Sequence, residues 1–125
     1  MIQLILHMIG DYVTQSDWMA QNKTKSTWAA FVHATIYSLP FLLITSPEAV
    51  LVIWSTHLLI DRFRLARYIA YIKNFLGAKS TWKPWNECNA TGYHKDSPVW
   101  LSVWLMILCD NTLHLTINYL SIMYL

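Results

Sequence analysis

His7 and Asp11, His57 and Asp61, and Asp110 and His114 are three histidine–aspartate pairs, each spaced four residues apart inside an otherwise apolar segment. His33 stands alone in a fourth such segment. Residues four apart share one face of a helix, one turn above the other. An ionisable group placed in lipid is costly and normally turns inward to do work. Seven imidazoles and carboxylates spread over four apolar segments point to one shared polar centre with the composition of a metal site.

Imidazole with carboxylate suits zinc, iron or manganese, and does not suit copper(I) or an iron–sulfur cluster. The expected ligands are His7, Asp11, His33, His57, Asp61, Asp110 and His114, with zinc the first choice of divalent ion. Seven donors exceed the three or four of a mononuclear catalytic zinc site, so two ions bridged by an aspartate would use them better. A metal pair holds a water at lowered pKa and clamps a phosphoryl or carbonyl oxygen. Asp11, Asp61 or Asp110 would then act as general base. Gln15 and Asn118 extend two of these faces by one more turn, where an amide orients ligands or holds substrate. Arg62 and Arg64, beside Asp61, are candidates for gripping an anionic head group. Their plainer role is to anchor topology. A single His–Asp pair reads as a structural hydrogen bond; the repetition is what raises the metal reading above that.

The elements that must position these residues are helical. Segment one, about Met1 to Gln21, is short for a spanning helix and turns polar after Asp11. The polar stretch 21–26 connects it to segment two, Ser26 to Ser46, which has the roughly 20 residues a bilayer asks for. Pro40 should kink or weaken its outer turn. Segment three starts near Pro47 and is expected to run on to Leu76, leaving the apolar layer near Asp61. Residues 77–97 form an aromatic-rich loop, and Ser97-Pro98 opens segment four, which runs to Leu125. The expectation is all-α: a four-helix transmembrane bundle, up-down-up-down, over residues 1–125 as a single integral membrane domain.

Composition agrees. Hydrophobic residues make up 55% and charged residues 13%, well below the roughly one quarter usual for soluble domains. Seven Trp and seven Tyr fit aromatic belts at a membrane interface. All nine Lys and Arg fall in the first connection or between Arg62 and Lys95, on one side of such a bundle. The positive-inside rule then places the basic loops in the cytoplasm of a bacterial inner membrane, with both termini outside. Cys88 and Cys109 have no CxxC spacing and make neither a disulfide framework nor a zinc knuckle. The N-terminus lacks the basic start of a signal peptide.

At HMIGDYVTQSDWMAQNKTKS, VHATIYSLPF and THLLIDRFRL the chain resembles a family of short bacterial and phage integral membrane proteins of unknown function. The likeness rests on an N-terminal His-x2-Gly-Asp-x3-Gln-x2-Trp motif, here His7, Gly10, Asp11, Gln15 and Trp18. Asp17, Asn22, Lys23, His33, His57 and Asp61 also match. That resemblance implies a site and no particular reaction. A looser similarity is to membrane-bound metal-dependent hydrolases.

The functional expectation is a membrane-embedded metal-dependent hydrolase acting from the cytoplasmic side on a lipid-linked or phosphate-bearing substrate. Its expected partners are membrane lipid and a second copy in a homodimer, with no nucleic acid. The competing readings are a di-iron oxidative enzyme, an ion or proton pathway, and a phage factor that binds a host membrane component.

Overall fold

Serine side chains start three of the helices. Ser16, Ser26 and Ser46 each accept a hydrogen bond from the backbone N–H three residues on, at Met19, Ala29 and Ala49. The computed structural model describes residues 1–125 and contains α-helix and no strand. Helix α1 covers Ile2–Met8 and widens into a π turn over Ile9–Val13. Helices α2 (Asp17–Asn22), α3 (Thr27–Ser38), α4 (Pro47–Phe63), α5 (Ala66–Lys73) and α6 (Val99–Tyr124) follow.

The four apolar segments thus become six helices. Segment one breaks at Thr14–Ser16, where the Ser16 cap starts α2 afresh. Segment three does not run on to Leu76: it breaks after Phe63, where Arg64 takes a left-handed φ of 53°. Pro40 has the expected effect, because the end of segment two tightens into a 3₁₀ turn over Leu39–Leu43. One helix, α6 with 26 residues, is long and apolar enough to cross a bilayer on its own.

The chain divides into two compact units, residues 1–63 with 114–125, and residues 64–113. In the first unit, α3 packs on α4, and α2 and the π turn pack on α3. Ala30 and Ala34 are fully buried on α3. His33, Tyr37 and Phe41 follow one another at four-residue spacing and are buried too. Helix α4 buries Val50, Ile53, His57, Ile60 and Asp61. The last part of α6 buries His114, Asn118 and Ser121. Tyr37, Phe41, Val50 and Ile53 form the apolar core, flanked by Leu6, Ile44 and Ile122.

Gly10 in the π turn has a steric reason to be glycine. A Cβ there would overlap the Tyr37 ring. The close approach sets the start of the chain against α3.

In the second unit, the loop after α5 is tied back to it. Arg64 donates to the Ala90 carbonyl (2.7 Å), Arg67 to that of Asn89 (3.0 Å) and Asn74 to that of Gly92 (2.8 Å). Gly92 has φ 88°, and its backbone lies against the Arg67 carbonyl, where a side chain would collide. Tyr68 stacks on Trp85 at 4.9 Å, with the Arg67 guanidinium over both rings. Cys88 is buried and Cys109 half-buried, and both are free thiols.

Candidate metal centre

Four ligand atoms converge inside the first unit. His33 Nε2 lies 3.1 Å from Asp11 Oδ1, 3.2 Å from Asp61 Oδ2 and 3.0 Å from His57 Nε2. His57 Nε2 lies 3.4 Å from Asp11 Oδ1 and 3.2 Å from Asp61 Oδ2. The π turn supplies Asp11, α3 supplies His33, and α4 supplies His57 and Asp61 one turn apart. All four side chains are at most 8% exposed.

These separations have a geometric meaning. Donors about 2.0–2.1 Å from zinc at the corners of a tetrahedron lie about 3.3 Å from one another. A tetrahedron has six edges, and the five given above run from 3.0 to 3.4 Å. Those five separations match the spacing that a four-coordinate cation asks of imidazole nitrogens and carboxylate oxygens. This buried cluster of Asp and His residues could hold a metal ion.

A second ring of side chains holds the first. Asp11 turns its other oxygen, Oδ2, to His7 Nδ1 at 3.4 Å. Asp61 turns its Oδ1 to His114 Nε2 at 3.4 Å. Each carboxylate thus gives one oxygen to the centre and the other to an outer histidine, an arrangement that fixes its orientation. Tyr37 ties the ring together. Its hydroxyl lies 2.8 Å from His7 Nδ1 and accepts a hydrogen bond from Asn118 Nδ2 at 2.7 Å. The Tyr37 ring stacks on His57 at 3.7 Å, and His114 lies against the other side of the cluster with its ring 4.2 Å from that of His57. The Nδ1 atoms of His33 and His57 are buried without a hydrogen-bond partner, so ring packing orients these imidazoles.

Within the first unit the structure brings together His7, Asp11, His33, His57, Asp61 and His114 from among the expected ligands. It separates them into four convergent donors and two outer histidines. Asp110 lies half-buried on α6 within the second unit. Asn118 is placed on Tyr37, and Gln15 is half-buried with its Oε1 sealed from solvent and without a hydrogen-bond partner. Arg62 donates to the Thr24 carbonyl (2.9 Å) and to Thr27 Oγ1 (3.2 Å), tying the end of α4 to the connection before α3. Arg64 belongs to the second unit and is engaged with Ala90.

Two residues at the centre are given no place in the site by the sequence reading, although Lys23 is among those that match the family. Tyr37 follows His33 by four, a signal present in the spacing but hidden because tyrosine in an apolar helix reads as packing. Lys23 looks like a loop charge. Its ammonium forms an ion pair with Asp61 Oδ2 at 2.8 Å and lies 3.3 Å from His33 Nε2.

Fold and site together define an all-helical protein with a buried histidine–aspartate centre suited to a metal ion. The chain belongs to DUF3307, a family of proteins of unknown function, whose match spans residues 1–123. No curated protein and no solved structure matches it, so the looser likeness to membrane-bound hydrolases gains no support from a relative.

Proposed function

We propose that this protein is a membrane-embedded, metal-dependent hydrolase that works from the cytoplasmic side on a lipid-linked or phosphate-bearing substrate. The observation that carries the reading is the buried convergence of Asp11, His33, His57 and Asp61, with five donor separations between 3.0 and 3.4 Å. Zinc is the first choice because four-coordinate nitrogen–oxygen sites of this size are its usual setting. A bound divalent ion supplies Lewis acidity and a water that ionises near neutral pH. Asp11 or Asp61 would serve as the base. With all four corners taken by protein the site would be closed, as structural zinc sites are. Hydrolysis requires one corner to open.

The membrane part of the reading rests on an inverted polarity. Helices of the first unit bury His, Asp, Asn and Ser while Leu4, Ile5, Trp28, Leu42, Leu51 and Leu59 face outward. A lipid surround explains both halves of that pattern. At about 1.5 Å per residue, α3 with its 3₁₀ turn and α4 each reach roughly 25 Å, close to the hydrocarbon thickness, while α1 is short. We place these three and α6 as the four helices of a membrane bundle, with lipid covering the outward faces. The Arg62 contacts put the end of α4 and the basic 23–25 connection at one end, on the side we assign to the cytoplasm.

Elemental analysis of detergent-purified protein tests the centre. About one zinc per chain is expected, with Asp11→Ala and His57→Ala each reducing it to background. Full metal content in both variants, or none in the parent protein, overturns the reading. A carbonate-washed membrane pellet should retain the protein, and release into the wash would count against the membrane placement. A second reading has its own observation: His33, His57 and Asp11 alone are two imidazoles and one carboxylate, the ligand set of non-haem iron(II) oxygenases. Iron in place of zinc after growth in iron-sufficient medium, with visible absorption bands, would favour it.

A further inference from the structure

The four donors are not equivalent. Asp11 Oδ1 faces the two imidazoles His33 and His57. Asp61 Oδ2 faces the same two imidazoles and, at 2.8 Å, the ammonium of Lys23. Its other oxygen lies against His114. The second oxygen of Asp11 meets His7 in the same way, so the ammonium, which also lies 3.3 Å from His33 Nε2, is what sets Asp61 apart. Lys23 is also the part of the cluster nearest solvent, its side chain 17% exposed against 4% for Asp61.

We infer that Lys23 is the positioning residue that keeps one coordination corner open. This rests on the metal reading above and deepens it. An ammonium at hydrogen-bond distance competes with a divalent ion for the same carboxylate oxygen. A cation then settles against Asp11, His33 and His57, and Asp61 stays paired with Lys23. Asp11, His33 and His57 would then hold the ion, and Asp61 Oδ2 would stand beside the open position as the proton acceptor. The carboxylate is thereby a base and not a ligand, which is the difference between a catalytic site and a closed structural one. Charge agrees with this division: two carboxylates, one ammonium and one divalent ion sum to plus one, which suits an anionic substrate such as a phosphodiester.

Cobalt(II) replacing the native ion reports the number of protein ligands through its visible spectrum, and azide reports an exchangeable corner. Full-length protein in detergent is loaded with cobalt and titrated with azide. The parent protein should show a spectrum that azide shifts. Lys23→Met should bind cobalt roughly tenfold tighter or more, since a like charge is removed, and its spectrum should no longer respond to azide because Asp61 has closed the corner. Lys23→Arg should keep the response. The double variant Lys23→Met/Asp61→Asn separates closure from mere loss of a positive charge: azide sensitivity should return. A Lys23→Met protein that responds to azide like the parent, or a double variant that stays silent, overturns the inference while leaving the metal centre standing. Failure of the parent protein to take up cobalt overturns the metal reading itself, and this inference with it.

Discussion

His57 and His94 each sit against a carboxylate, yet they belong to different worlds. In the second unit, His94 Nε2 donates to Glu87 Oε2 at 2.8 Å, with side chains 21% and 35% exposed. In the first unit, His57 Nε2 lies 3.2 Å from Asp61 Oδ2, with side chains 1% and 4% exposed. The shorter contact is the wet one. Water screens it, and such surface pairs contribute little. The longer contact is one of several that share the same few atoms out of water, where an unpaired charge is expensive. Distance alone does not rank the two pairs. Convergence and burial do.

The comparison can be broken most severely at His57. His57→Ala removes one corner of the cluster and leaves buried carboxylates short of a partner, so a loss of about 3–5 kcal/mol is expected in denaturant unfolding, with loss of bound metal. An unfolding midpoint equal to the parent's would place His57 outside any network. Gly10→Ala comes next. The new methyl meets the Tyr37 ring, and overpacking of this kind costs about 1–3 kcal/mol. Because Tyr37 stacks on His57, zinc content should fall with stability; a variant with full metal and parental stability would show that the ring yields freely.

Tyr37→Phe probes the outer ring more gently. It deletes the hydroxyl that accepts from Asn118 and meets His7, for a loss of about 1–3 kcal/mol. Metal affinity should drop by roughly 10- to 100-fold, the usual effect of losing an orienting partner. Zinc titration of the two proteins decides it, and equal affinities would reduce Tyr37 to packing.

The smallest effect belongs to the second unit. The hydrogen bond from His94 holds the Glu87 carboxyl below its ordinary value of 4.5. Any stability from that shift is present above pH 4.5 and fades as pH falls through the lowered pKa. Glu87→Gln should therefore lower stability only slightly at neutral pH, leave metal content unchanged, and flatten the acid limb. A drop in metal content would erase the contrast between the two regions.

Much of the local structure is legible in the residues themselves. Ser26 and Ser46 announce helix starts, Pro40 spoils the outer turn of its segment, and the four-residue spacing puts His57 and Asp61 on one face. Those are short-range consequences of backbone hydrogen bonding and helix pitch, so they need no knowledge of what packs nearby. The breaks at Thr14–Ser16 and Arg64 are less legible, because neither carries a proline or glycine to mark it.

What tertiary structure alone decides is the division of labour among chemically identical side chains. Nothing in the spacing distinguishes His7 from His33, yet one is an outer contact of Asp11 and the other a corner of the centre. Nor does it bring Lys23 to Asp61 across 38 residues, or set the Tyr37 hydroxyl between His7 and Asn118. Helix pitch settles which residues share a face; only the packing of one helix on another settles which faces meet, and at what depth.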